Sequence, residues 1–297
     1  MRYLLTHKTQ YIYHQSVNIC YNEAWLVPRV LPYQRCLSHK IIITPQPTSE
    51  AVYEDFFGNQ FKYFAIQEPH NQMTVTAITD VEVNRPNPYL WLNDTMTWEE
   101  ACMQIHQSLQ PAYLEARQFT AEAGIVQFAP EVVQYARSSF APKRPLVQVA
   151  NDLMERIFSD FKFTAGFTTI STPLAVVLKE KKGVCQDFAH LMIACLRCMG
   201  MAARYVSGYI ETIPPEGQKK LVGADASHAW CAVFIPNLGW LDFDPTNNQI
   251  VHNQYVTTAW GRDYSDVPPL KGVVLGSGTQ ELKVAVDMLR TKETIVI

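Results

Sequence analysis

The first 85 residues alternate. In residues 2–13 the apolar positions Tyr3 and Leu5, then Tyr11 and Tyr13, stand two apart, and residues 73–83 (MTVTAITDVEV) alternate throughout. Residues 40–44 carry three isoleucines in a row, and residues 55–59 (DFFGN) read as a turn between β-rich stretches at 51–53 and 60–66. A period of two belongs to strands with one buried face. Short runs of this kind between turn signals predict a small all-β domain, a sandwich or a barrel, over residues 1–85. Asn84-Arg85-Pro86-Asn87-Pro88 interrupts the pattern and marks the domain boundary.

Beyond it the period lengthens. Thr97 with Glu100 three residues later is a capping-box pattern that starts a helix near Trp98. Pro145 opens another, whose apolar stripe is Leu146, Val149, Ala150, Leu153 and Ile157. Residues 86–160 thus read as a helical segment packed on the core formed by residues 161–297. In that core, Phe161-Lys162-Phe163 reads extended, and Thr172-Pro173 caps a short helix through Leu178. Phe188, Leu191, Met192, Cys195 and Met199 then repeat at helical spacing. After Gly200 the pattern returns to β at 203–210, 228–235 and 240–244, with a polar loop at 214–220 and a turn at 236–239. Residues 281–288 (ELKVAVDM) alternate and are expected to close a sheet. Helices followed by a mostly antiparallel sheet make an α+β fold.

Composition narrows the classes. The chain has 297 residues, 47% of them hydrophobic, and a formal net charge of −3, which excludes partners recruited by a basic surface, such as nucleic acid or an anionic membrane. No run approaches the roughly 18 apolar residues of a membrane span, and residues 1–13 lack the apolar run of an export signal. Seven cysteines without paired spacing are then expected to be reduced thiols in a cytoplasm. No internal repeat or low-complexity run stands out.

The candidate chemistry centres on residues 183–190, Gly-Val-Cys-Gln-Asp-Phe-Ala-His. Counting back three from Phe188 puts Cys185 in the first turn of the helix, on its inward face. A helix N-terminus carries partial positive charge and unpaired N–H groups; these favour a thiolate and can later hold an oxyanion. Most cysteines are small buried hydrophobes, and Cys20, Cys36, Cys102, Cys195, Cys198 and Cys231 are read that way. The scattered His7, His14, His39 and His70 are read as exposed or satisfied. Cys195-x-x-Cys198 has metal-ligand spacing but no second pair, so no metal or cofactor is called for. Downstream, His228 starts one strand and Asp244 ends the next. A thiol needs a base, and the base needs a third group to fix its tautomer; Cys185, His228 and Asp244 stand in that order. His190 is the rival base, but it lies five residues from Cys185 on one helix, about 140° round the axis. Asp242 is the rival acid. A tight turn at 236–239 sets Asp244 about three residues out of register with His228. Either a bulge closes the gap or Asn247 takes the orienting role.

With these residues named, the chain resembles the bacterial transglutaminase-like proteins of the transglutaminase/papain-like cysteine protease superfamily. The matching stretches are GVCQDFAH (183–190), ARYVSGYI (203–210), ASHAW (226–230), GWLDFDPTNN (239–248) and GRDYSDVPPL (261–270), with residues 1–85 similar to the β-rich region that precedes this domain. The resemblance implies a papain-like core with a nucleophile helix packed on an antiparallel sheet. Cys185 would be the nucleophile and a backbone oxyanion donor, His228 the base and Asp244 the orienting acid. Gln186, Asp187, Trp230, Arg262, Asp263 and Tyr264 are candidates for the pocket, with a structural Arg–Asp pair as the alternative at 262–263. The implied activity is thiol-dependent amide or peptide hydrolysis, or acyl transfer, through a thioester. The substrate would be a peptide or protein amide, with a primary amine as acceptor in the transfer case. Unlike the animal transglutaminases, the chain has no tryptophan between Trp98 and Cys185 and no acidic loop suited to calcium, so hydrolysis is favoured. The competing class is a silent scaffold or peptide-binding protein that kept the fold.

Overall fold

The computed structural model describes residues 1–212, 226–276 and 278–291; the polar loop at 214–220 lies outside them. The chain opens with β1 (Arg2–Val17), β2 (Ile19–Ala24), β3 (Gln34–Thr44), β4 (Ser49–Glu54), β5 (Gln60–Ile66) and β6 (His70–Val83). Helices α1 (Trp98–Gln107), α2 (Pro111–Arg117), α3 (Pro130–Arg137) and α4 (Leu146–Asp160) come next. Then come β7 (Lys162–Phe163), α5 (Leu174–Glu180), β8 (Lys182–Gly183) and α6 (Cys185–Arg197). The last elements are β9 (Ala203–Ile210), β10 (Ala226–Ile235), β11 (Gly239–Asp244), β12 (Gln249–Ile250), β13 (Tyr255–Gly261), β14 (Leu270–Leu275) and β15 (Gln280–Arg290).

The alternation in the N-terminal third does what period two requires. In β1, Tyr3, Leu5, His7 and Thr9 are buried and the residues between them are not. Two four-stranded sheets, ordered β15-β1-β6-β3 and β14-β2-β5-β4, face each other across Tyr13, Val17, Phe64, Ile66, Met73 and Val75, so the unit is a sandwich. Residues 281–288 do close a sheet, but it belongs to the N-terminal unit: β15 pairs antiparallel with β1, and β14 pairs with β2. The β unit is therefore built from both ends of the chain, and residues 161–297 do not form one continuous domain. Alternation fixes which face of a strand is buried but not which strand lies beside it.

The second body is a five-stranded antiparallel sheet, β12-β11-β10-β9-β13, with α6 against β10 and β9. Helices α3, α4 and α5 surround α6 on its other sides, and Asp187 through Arg197 are all buried. The capping box expected at Thr97 is present: the Glu100 N–H donates to Thr97 Oγ1, and the Thr97 N–H donates to Glu100 Oε2. No described helix is long and apolar enough to cross a membrane.

The sandwich docks on the sheet through Tyr3, Leu5, Val81, Val83 and Met288 against Tyr209 and Val256. His7 Nδ1 shares a 2.8 Å hydrogen bond with the Tyr209 hydroxyl, and burial pushes this imidazole down to about 4. Two amide side chains clamp β13. Gln34 donates to the Thr257 carbonyl (2.7 Å) and accepts from its N–H (2.8 Å), and Asn59, at the end of the DFFGN turn, does the same at Trp260. β13 is the edge of its sheet, so the clamps satisfy backbone groups on the side away from β9, on either side of the bulge between Thr257 and Ala259.

Candidate active site

Cys185 is the first residue of α6. Lys181, at φ 53°, ends α5 in the left-handed conformation, and β8 leads the chain directly into the new helix. Asp187 Oδ2 folds back to accept the Val184 N–H (2.7 Å) and the Thr168 hydroxyl (2.6 Å), satisfying donors that a helix start leaves open. A Cβ on Gly183 would lie 2.9 Å from the Asp187 side chain and 3.1 Å from Phe188, so only glycine leaves room for this fold-back. Cys185 is half-buried, as the thiol of a usable site must be.

His228 and Asp244 reach each other without a bulge. The ladder runs from Ile235↔Gly239 to Cys231↔Phe243 unbroken, which sets Asp244 level with Trp230, two residues from His228 and on its face of the sheet. That diagonal is short enough for two side chains. Nε2 of His228 donates to Asp244 Oδ2 at 2.7 Å. The same oxygen accepts from Asn247 Nδ2 and from the Tyr255 hydroxyl, each at 2.7 Å, and Oδ1 accepts the Thr246 N–H at 2.9 Å. Asn247 therefore joins Asp244 instead of replacing it. Asp242 is engaged elsewhere, in a 2.9 Å ion pair with Arg85.

The electrostatics follow from these bonds. Burial opposes the charge on Asp244, but the His228 imidazolium and three donated side-chain bonds outweigh it and hold the carboxyl below its ordinary range. Burial likewise opposes charge on His228. The Asp244 carboxylate and a hydrogen bond with the Cys185 thiol win, lifting the imidazole to about 10. With Nε2 committed to Asp244, Nδ1 is the ring nitrogen left for sulfur.

His190, the rival base, is buried on the far side of the helix turn. Its Nε2 accepts the Tyr264 N–H (3.1 Å), its ring stacks on Tyr205 at 4.8 Å, and burial drives it down to about 3, a neutral structural imidazole.

Comparisons with known proteins show the family and the fold that carry this site. Residues 133–245 match the family model of the transglutaminase-like superfamily, and residues 3–82 match that of the bacterial transglutaminase-like N-terminal region. The chain belongs to the transglutaminase-like superfamily. An uncharacterized protein of Mycobacterium tuberculosis (H37Rv) is 42% identical over 296 residues, spanning 97% of this chain and 92% of its own. A candidate cysteine protease from Cytophaga hutchinsonii shares the fold, with a TM-score of 0.77 at 19% identity over 99% of this chain and 92% of that one. A protein-glutamine gamma-glutamyltransferase of Pseudomonas aeruginosa is 39% identical over 67 residues, 22% of this chain and 10% of that protein.

Within this transglutaminase-like core, most of the expected pocket residues have other work. Asp187 is the helix cap described above. The Arg262 guanidinium pairs with Asp266 at the surface (2.9 Å), and its carbonyl accepts from Arg197 at the end of α6. Asp263 accepts from the Ile125 N–H (3.1 Å) and the Ser265 N–H (2.8 Å). The structural alternative at 262–263 thus holds with a different partner: Arg262 pairs with Asp266, not Asp263. Tyr264 caps His190 and meets Tyr205 edge-on, a layer behind the thiol. Trp230 is wholly buried, 6.2 Å from the His228 ring centre, and backs the imidazole instead of lining a pocket. Gln186 is half-buried beside Cys185. Among the described residues no cluster of His, Cys, Asp or Glu could hold a metal, and the Cys198 thiol donates to the Cys195 carbonyl (3.2 Å).

Tyr255 was not legible as part of this site. Its run, Tyr255–Gly261, is rich in β-branched and aromatic residues and so reads as a strand, yet nothing local says that β13 lies on the far side of β9. Its ring meets that of Trp230 edge-on at 5.4 Å, and the Trp230 ring in turn lies against Gly208. A Cβ there would lie 2.1 Å from the Val256 carbonyl and 2.6 Å from the Trp230 ring, so a bare backbone is what lets the layer close over His228.

Proposed function

We propose that the chain is a cysteine-type amide hydrolase or acyltransferase. Cys185 is the nucleophile, His228 the general base and acid, and Asp244 the group that orients and charges the imidazole. The observation that carries this reading is the buried line from Asp244 through His228 to the Cys185 thiol. With Asp244 holding the imidazole, His228 is placed to exchange a proton with the thiol and then with the leaving group.

The sulfur attacks the carbonyl carbon of a peptide bond or a glutamine carboxamide. The oxyanion forms beside the open N–H of Cys185 at the start of α6. As the tetrahedral intermediate collapses, the C–N bond breaks and His228 gives its proton to the leaving amine, leaving a thioester. Water, deprotonated by His228, returns the acid and the free thiol; a primary amine in its place gives a new amide. Hydrolysis is the preferred outcome, because the chain lacks the upstream tryptophan and the acidic loop associated with the animal cross-linking enzymes. The Pseudomonas relative's name supports the transfer alternative over the short stretch it shares.

Intact-mass analysis with a glutamine-containing peptide pool, with and without a primary amine, tests the reading. Cleavage or ammonia release without amine incorporation, abolished in Cys185→Ala, is expected. Amine incorporation abolished in the same variant would make the chain a transamidase. Turnover that survives Cys185→Ala would overturn the assignment.

A further inference from the structure

Below the triad, the same sheet face meets the sandwich across a cavity of about 380 Å³. Leu31 and Tyr33 form its sandwich wall, and Arg204, Trp240, Asp242 and Trp260 its sheet wall. Its size falls at the lower end of the range for small-molecule sites. Arg204 on β9 and Asp242 on β11 both stand opposite Ala232 of β10, one strand repeat from Trp230 and Asp244. The cavity is therefore separate from the catalytic centre, with Trp230 and Val251 between them.

Its charge is unbalanced. Arg204 is only 5% exposed and is sandwiched between the indoles of Trp240 (4.0 Å) and Trp260 (3.6 Å). Among the described residues its guanidinium makes no hydrogen bond, and its Nε is buried without a partner. The carboxylate that faces it, Asp242, is bonded to Arg85, which also donates to Thr257 and stacks on Tyr33. Two guanidinium groups share one carboxylate. Burial pulls Arg204 down to about 9, against the attraction of Asp242 and the weaker attraction of Glu115, while Arg29 repels it. A buried cation without a partner is costly, and a guanidinium held flat between indoles presents its N–H edge in the geometry that grips a carboxylate.

We propose that this cavity binds a small organic carboxylate with a flat apolar body, its head on the Arg204 edge and its body against Tyr33 and the tryptophans. One unpaired positive charge matches a monoanion. The aromatic walls match a planar ligand rather than a free inorganic ion.

Tryptophan fluorescence and thermal melting of the full chain, titrated with benzoate, test this. Saturable quenching and a raised Tm are expected, with the neutral isostere benzamide at least about tenfold weaker. Arg204→Gln is expected to weaken benzoate to the benzamide level. Leu238→Trp, at the exposed rim, is expected to abolish binding without changing the fold by circular dichroism, and it carries the test if Arg204→Gln does not fold. Equal binding of benzamide, unchanged binding in both variants, or no saturable response to benzoate up to about 20 mM would overturn the proposal. Phenyl phosphate outcompeting benzoate would overturn the carboxylate in favour of a phosphate ester. No readout involves turnover, so the result is independent of whether Cys185 is catalytic.

Discussion

Two rows of one sheet, a single strand repeat apart, treat buried charge in opposite ways. In the upper row Asp244, with no exposed surface, accepts four hydrogen bonds, from His228, Asn247, Tyr255 and the Thr246 N–H. In the lower row Arg204, also buried, makes none among the described residues. Desolvation costs both groups. The upper row recovers it inside the protein, which fixes the imidazole's tautomer and angle before any substrate arrives. The lower row leaves it to be recovered by something else. The difference separates a site organised for chemistry from a site organised for an occupant.

The comparison breaks most sharply at Asp244. Asp244→Ala leaves a buried imidazolium unpaired and is expected to cost about 3–5 kcal/mol in urea unfolding. Iodoacetamide labelling of Cys185 should slow as well, because the imidazole loses the charge that holds its proton. Asp242→Ala, two residues away on the same strand, should leave that labelling rate unchanged. If both variants slow labelling equally, the two rows do not have separate roles.

The pH dependence of the upper row has a fixed sign. His228 is raised from an ordinary 6.5 to about 10, so its pairing contributes in full below 6.5 and is lost as pH climbs through about 10. Asp244 is lowered from 3.8, so its contribution is present above 3.8 and is lost as pH falls through the depressed value. The stability gap between wild type and His228→Gln should therefore narrow from pH 6.5 to 10, by about 1–3 kcal/mol after screening by penetrating water. A gap that widens over this window would mean the imidazole is neutral in the folded protein.

Gly208→Ala attacks the layer above the triad. Its Cβ would press on the Val256 carbonyl and the Trp230 ring. Overpacking of this kind costs about 1–3 kcal/mol, readable as a lower Tm, with the His228–Asp244 pair displaced. An unchanged Tm would show that the sheet relaxes freely there.

What could be read in the chain beforehand obeyed one rule: local signals survived and long-range ones did not. The capping box at Thr97, the strand alternation in residues 73–83 and the helix beginning at Cys185 are each set by neighbours within four residues, and each is where the pattern puts it. Cys185, His228 and Asp244 meet, although the turn alone suggested a larger register gap than the two residues observed. Residues 281–288 announced a strand but not its partner, which is β1, at the other end of the chain. Asp187 was a pocket candidate through the resemblance; its fold-back onto the Val184 N–H, with room left by Gly183, makes it a cap. Helix α6 read as one-sided from its apolar spacing, yet it is enclosed all round, a consequence of α3, α4 and α5 that no local period encodes.

The smallest expected effect is the most telling about the lower row. Arg204→Met removes a buried cation that no hydrogen bond in the described structure meets and whose facing carboxylate, Asp242, is bonded to Arg85, at the expense of its stacking on Trp240 and Trp260. Relief from desolvation and loss of the cation–π contacts oppose each other, and Met fills much of the same length. The unliganded variant should therefore unfold within about 1 kcal/mol of wild type. This contrasts with Asp244→Ala in the row above, although both replace a buried charge. A loss of about 3 kcal/mol or more would mean that Arg204 has a structural partner and that the two rows are built alike; a near-neutral result leaves the guanidinium's cost to be met by a ligand.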